Sequence, residues 1–360
     1  MNMKNNIHPI PGSPLPSSLQ GGKGETIPAP RNGRGLMARL KGASCLFALL
    51  PLSLSLASCI DEDLSRCGVN YSVDYVVHQQ TDLQAEVAAV LSSPQEQEAA
   101  EAVGTALGGV FTDLAHDLDL SFYANHDLAY HERNIIDASS ASFTFYLQQA
   151  DYRHLTLANV TDEPVVSTSG TNSDLSLSVS SMTGDTLSSH SRPLFSSRLD
   201  MPLEGREASF RSDLYMLNSA VAVVLAEPEG KQAVVSGCVS GMASSFAVND
   251  SVYAYSPQAV TRMEQTRPRG YRVLYATTLP SPDNAPGNPD DGIWQVKVYV
   301  TIDGKITENV LHVGEPLSAG KVKIIKGVIK DDGSVSTESP EVGVSVTLDW
   351  KPGGDHDVEM

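Results

Sequence analysis

Basic residues are scarce in this chain. Its 360 residues carry 25 Lys and Arg against 43 Asp and Glu, a formal net charge of −18. Nucleic-acid binding rests on Lys and Arg neutralising phosphates, so a surface this acidic argues against that class of partner. The same balance argues against direct attraction to anionic lipid. Cysteine is scarce too, with four in the whole chain, which excludes a disulfide scaffold. Aromatics make up 6%, with only two Trp, so stacking platforms for glycan are few. Long apolar runs are absent. A membrane-spanning helix needs about 20 apolar residues, and the one apolar stretch, from Ala43 to Ser58, is shorter and contains Pro51.

The catalytic motifs are missing as well. There is no Gly-x-Ser-x-Gly elbow, His-Glu-x-x-His zinc helix, Walker loop or dinucleotide glycine fingerprint. Gly237-Cys238-Val239-Ser240-Gly241 has the outline of a nucleophile loop but lies in a strand-like Val-rich run, where a glycine bulge is expected instead. His116, Asp117, Asp119, His126 and Asp127 cluster in sequence as a metal site would. Asp117-Leu118-Asp119-Leu120 alternates, however, and both acids are expected on a solvated strand face. Asp283 to Asp291 could wrap calcium but lacks the EF-hand pattern, and a Pro-rich interstrand loop is the expectation. His154, in Tyr152-Arg153-His154-Leu155, is the first histidine to test for chemistry; the plainer expectation is a structural histidine at a buried strand edge. The chain is read as no enzyme, with no cofactor and no metal.

What is present is an export signal. Arg39 and Lys41 precede the apolar run Leu46 to Ser58, and Leu56-Ala57-Ser58-Cys59 has the form of a lipobox. Cys59 is therefore the expected lipidation site and mature N-terminus, carrying acyl chains such as palmitate. A buried helix fits less well, because Asp61, Glu62 and Asp63 follow the cysteine at once. Acylation contributes about 0.8 kcal/mol per buried methylene, and stable anchoring takes more than one chain. Residues 1–36 are rich in Pro, Gly, Ser and Asn. Met37 opens a short basic start, so it is the expected initiator; a long basic leader is the alternative. Residues 1–58 are thus an upstream extension plus signal peptide. The remaining 302 residues hold 19 Lys and Arg and 42 acids, a formal charge of −23. Cys67 and Cys238 then remain, read as two separate thiols, although an exported compartment would allow them to pair.

The mature length suits two domains. Leu83, Val87, Val90 and Leu91, then Val103, Leu107, Val110, Phe111 and Leu114, recur at helical spacing. They predict two helices, or one broken at Ser93-Pro94, within residues 79–115. Elsewhere the period is two. Phe143, Phe145 and Leu147 share a phase, as do Leu175, Leu177 and Val179, and Val221, Val223 and Leu225. So do Trp294 to Ile302, and Val342, Val344, Val346, Leu348 and Trp350. These patterns predict half-buried antiparallel strands, with Val346 and Trp350 in the core. Turn signals stand at Asp303-Gly304, Asp332-Gly333 and Pro289 to Gly292. The fold class is all-β, Greek-key sandwiches, divided near residue 205 into 59–205 and 206–360.

Several segments together resemble the FimB/Mfa-type family of fimbrial anchor and accessory lipoproteins of Bacteroides-like bacteria. They are Cys59-Ile60-Asp61-Glu62-Asp63-Leu64-Ser65-Arg66-Cys67, Asp117 to Tyr123, Asp151 to Asn159, and Val346-Thr347-Leu348-Asp349-Trp350-Lys351-Pro352-Gly353-Gly354. The resemblance implies two tandem transthyretin-like sandwiches with the helical segment inserted in the first. It implies lipid anchoring in the cell outer membrane, surface display, and a role as fimbrial anchor or accessory subunit. The implied partners are other fimbrial subunits, met by strand addition. Shaft pilins of this class lose a strand by cleavage at a basic residue, and Arg66 is the only Lys or Arg between Cys59 and Arg133. The alternative is a surface adhesin that binds glycan or host protein without polymerising.

Overall fold

A computed structural model describes residues 68–348, apart from 79–81, 137, 162–165, 170–175, 180, 184–185, 190, 203–206, 257–258 and 286–291. Met37, Cys59, Arg66, Cys67 and Trp350 lie outside the described residues, as do Leu175, Pro289 and most of the Asp283 to Asp291 loop. The described residues form 23 strands and two α-helices, an all-β body.

Strict alternation builds the first sheet. In β1 (Gly68–His78), Val69, Tyr71, Val73, Tyr75 and Val77 are buried and Asn70 and Asp74 face solvent. The sheet runs β3 (Asp127–Ile135), β2 (Asp117–Ala124), β5 (Tyr152–Ala158), β10 (Phe195–Met201), β11 (Glu207–Met216), β1, β4 (Ser140–Gln148). The second sheet runs β17 (Glu264–Thr266), β18 (Tyr271–Thr278), β12 (Ser219–Ala226), β21 (Val322–Ile329), β22 (Val335–Thr337). The third runs β23 (Val342–Thr347), β20 (Lys305–Val313), β19 (Trp294–Ile302), β13 (Val234–Ser240), β16 (Val260–Arg262), β9 (Thr186–Leu187), β8 (Ser181–Thr183). The fourth runs β15 (Val252–Tyr255), β14 (Ala243–Ala247), β7 (Ser176–Val179), β6 (Val166–Ser169).

The helices form where the heptad-like stripe predicts them. The Asp82 carboxylate accepts from the Ala85 amide (3.1 Å) and opens α1 (Leu83–Val90). Pro94 begins a single 3₁₀ turn, where the Ser93 amide donates to the Glu96 carboxylate (3.0 Å); α2 (Gln97–Phe111) follows.

Three cores set the layering. The first lies between the first sheet, both helices, and one face of the second sheet: Tyr71, Tyr75, Val103 and Leu107 share it with Ala220, Ala222, Val224 and Ile324. The second lies between the other face of the second sheet and the third: Val221, Val223 and Leu225 meet Trp294, Val296 and Leu311. The third joins Leu155 and Leu157 to Phe246 and Leu279 on the far side of the first sheet. The helices are thus a layer shared by both halves of the chain rather than a property of the first.

Several expectations are corrected here. Strand β12 is buried on both faces, because the helices cover one and the third sheet the other. It pairs parallel with β21, as β1 does with β11 and β16 with β9, so the strands are not uniformly antiparallel. A strand covered on both faces is the usual setting for parallel pairing. The described sheets change partner a little beyond the expected boundary near residue 205. Strand β11 still belongs to the first sheet and β12 to the second, so the chain crosses between them at Leu217-Asn218. Strands β6 to β9 leave the first sheet; they are two to four residues long, too short to stand alone, and they extend the third and fourth sheets.

Candidate functional site

His154 is fully buried on β5. Its Nδ1 lies 3.1 Å from the Ser121 carbonyl, which can only accept, so Nδ1 carries the proton. Nε2 then accepts from the Tyr75 hydroxyl at 2.7 Å, with Thr156 Oγ1 at 3.0 Å. The ring stacks on Phe122, centroids 4.0 Å apart and planes 14° apart. Burial pulls its pKa down to about 4, outweighing the Ser121 carbonyl, which raises it. The same burial drives the Tyr75 hydroxyl well above the usual phenol range. A neutral imidazole with both nitrogens engaged inside a core organises packing; it meets no solvent and no substrate.

The acid-rich segment behaves differently from its expected solvated face. Asp119 is buried, 7% exposed, because the fourth sheet's core covers that side of β2. It accepts from His131 Nε2 at 2.7 Å and Arg133 Nε at 3.1 Å. Both come from β3, whose register sets Arg133 opposite Asp119 and His131 opposite Ser121. Alternation alone hid this ion cluster; the hairpin register was the missing signal. His116, His126 and Asp127 are exposed, and no group of three metal-ligating side chains forms among the described residues. A cleft of about 400 Å³ opens beside His126, but its Arg153 is taken up by Asp200 (3.0 Å) and Asn249 (3.1 Å).

Ser240 ends β13, an inner strand of the third sheet that pairs with β19 and β16 without a register shift. The expected glycine bulge is absent. Gly237 is there because a Cβ would lie 2.9 Å from the Lys297 carbonyl and 3.0 Å from Leu274 Cδ1. The neighbouring Cys238 thiol is free and buried, which pushes it up to about 11 and leaves it unreactive.

The feature that offers itself to a partner is strand β23. It is the outermost strand of the third sheet, paired with β20 from Val342↔Val313 to Thr347↔Glu308 with no bulge. Among the described residues no strand pairs on its other side; there the Val342 amide donates to the Ser339 carbonyl and its carbonyl accepts from Thr337 Oγ1, and the backbone groups beyond Val342 are open. Edges are normally blunted by Lys, Pro, charge or a bulge; Val342 to Leu348 contains none of these. Val342 is buried, but Val346 is 41% and Leu348 56% exposed. Core placement of Val346 is therefore overturned: it stands at the sheet margin, where the facing strand β22 has only three residues. Leu348 borders a cleft of about 270 Å³ with Ile302, Lys305 and Asp331. Trp294, by contrast, is buried as its phase predicts, and its indole donates to the Glu315 carbonyl at 2.8 Å. No helix among the described residues is long and apolar enough to cross a membrane.

No family model matches the chain, and no curated protein matches it. Among solved structures it is similar to the fimbrial anchor protein Mfa2 from Porphyromonas gingivalis. Identity is 12%, coverage is 78% of this chain and 99% of that one, and the TM-score is 0.44. It is also similar to a candidate adhesin from Bacteroides thetaiotaomicron, at 10% identity, 80% and 100% coverage and a TM-score of 0.47. A candidate cell adhesion protein from Parabacteroides distasonis follows, at 13% identity, 78% and 97% coverage and a TM-score of 0.46.

Proposed function

We propose that this chain is a surface lipoprotein that anchors or assembles fimbriae through protein contacts. In this reading Cys59 is acylated, with palmitate among its chains, and tethers the mature protein to the outer membrane. The body beyond it is read as two β units, residues 59–205 and 206–360; the crossing between sheets at Leu217-Asn218 lies near that boundary. Its work is non-enzymatic, and the partner is another fimbrial subunit. The observation that carries the reading is the open, uncharged, unbulged edge of β23. An added strand from a neighbour would pair with its free backbone groups, and alternate side chains would cover Val346 and Leu348.

The test is disulfide trapping on cells. Ser345→Cys or Thr347→Cys is combined with cysteines scanned along the terminal strand of a co-expressed fimbrial subunit. Intermolecular disulfides at a period of two are expected. A displayed, folded protein that crosslinks at no position would remove strand docking at this edge.

A second reading, a non-polymerising adhesin, is favoured by one observation. The outer face of the first sheet carries Tyr146, 72% exposed, and Tyr215, 48% exposed and stacked on His78 at 5.0 Å. Exposed rings amid hydroxyls suit glycan; retained glycan binding after both are changed to Ala would exclude that face.

A further inference from the structure

Among the described residues the first sheet has two edges, and they are unlike. Strand β3 is blunted: it carries Asp127, His131, Glu132 and Arg133, and its pairing with β2 is bulged at Phe122/Tyr123. Strand β4 is nine residues long and pairs with β1 through nine consecutive positions without a shift. From Ala138 to Ala150 no residue carries charge and none is Pro; Asp137 and Asp151 flank the stretch. A long, unbulged edge without these guards is a pairing site. Its inner face is incompletely covered, since Phe145 and Leu147 are buried while Ala141 and Phe143 are only half-buried. Its outer face, Ser140, Ser142, Thr144, Tyr146 and Gln148, is exposed throughout.

We propose that β4 pairs with β4 of a second copy of this chain, antiparallel, about a two-fold axis at Thr144. Two observations select a second copy over an unrelated strand. The first is charge. A chain with a formal charge of −18 repels itself wherever acids approach, whereas β4 itself carries no charge, and the acid beside it, Asp74, lies one strand in from the edge and accepts from the Ser142 hydroxyl. The second is that the strand matches itself when reversed. About Thr144, Phe143 falls opposite Phe145, Ala141 opposite Leu147, Ser142 opposite Tyr146 and Ser140 opposite Gln148. Every apolar residue meets an apolar one on the inner face, and every outer residue meets another hydrogen-bonding one. Aromatic pairs placed opposite each other across strands are favourable, and no like charges meet. The contact is isologous and closes on itself, so it yields a dimer and not a filament. It also leaves β23 free, so this inference stands apart from the docking reading above.

The experiment uses the mature acylated chain, residues 59–360, in detergent at about 10 μM, where a Kd of 1 μM leaves mostly dimer. Sedimentation should show a dimer. Thr144→Lys sets two lysines opposite each other on an exposed position, so the dimer Kd should rise at least about tenfold, with the melting of the dilute monomer unchanged. Under mild oxidation Thr144→Cys should form a disulfide dimer. Ser140→Cys should not exceed the wild-type background, because the two Ser140 residues would stand eight positions apart, about 27 Å. A wild-type monomer, a dimer unaffected by Thr144→Lys, or equal crosslinking at 140 and 144 would each overturn the proposal.

Discussion

The Tyr75 hydroxyl and the His154 ring join β1 to β5 across the first core by a 2.7 Å hydrogen bond in which the imidazole must be neutral. Because burial holds the folded His154 near 4, below its ordinary 6.5, the unfolded chain binds the extra proton between those values. Stability is therefore fully present above about pH 6.5 and falls as the pH drops through that window, by up to about 3 kcal/mol at its foot. His154→Phe should keep the stack on Phe122 but strand the Tyr75 hydroxyl, costing about 1–3 kcal/mol at pH 7. It should also flatten the difference in urea midpoint between pH 7 and pH 5. A variant with the wild-type slope would show that His154 is not the group responsible.

The helix layer is fastened to the second sheet by an ion pair between Glu96 and Lys326, with Glu338 beside the same ammonium at 2.9 Å. Desolvation works to raise the Glu96 pKa, but Lys326 and Ser93 overcome it and hold the carboxyl below its usual range. The pair's contribution is thus present above the unfolded carboxyl pKa and is lost as the pH falls through the folded one. The Glu96 side chain is only 4% exposed, so Lys326→Met should cost about 3 kcal/mol by leaving a buried carboxylate unpaired. Glu96→Gln in the same background should recover part of it. A double-mutant cycle with no coupling would contradict this account.

Val342 and Val346 share a face of β23 yet differ in burial, 5% against 41%. Val342→Asp should lower stability by several kcal/mol, because a carboxylate would be placed in the second core without a partner. Val346→Asp should stay within about 0.5 kcal/mol of wild type in thermal melts. Equal losses would mean the edge is covered in solution.

Cys59→Ala should abolish incorporation of a fatty-acid analogue during metabolic labelling and leave the signal uncleaved. Label retained at the wild-type level would place acylation elsewhere, or nowhere, and would remove the tether from the proposed function.

The sequence by itself determined the secondary structure where periodicity is a local property. The stripe Leu83 to Phe111 became two helices parted at Pro94. The alternation of Phe143, Phe145 and Leu147 became β4, and Asp303-Gly304 became the β19–β20 turn with φ of 50° and 77°. The proposed export signal is likewise a reading of the linear string alone, which no fold enters. What period two cannot encode is which neighbour a strand will have, because the same alternation suits a solvated, shared or edge position. Only the tertiary structure placed Asp119 under the fourth sheet's core, where His131 and Arg133 must neutralise it. Only the tertiary structure left Val346 bare at a margin and set the helices between two sheets. Those outcomes depend on contacts between residues tens to hundreds of positions apart, such as Glu96 with Lys326, which no local pattern records.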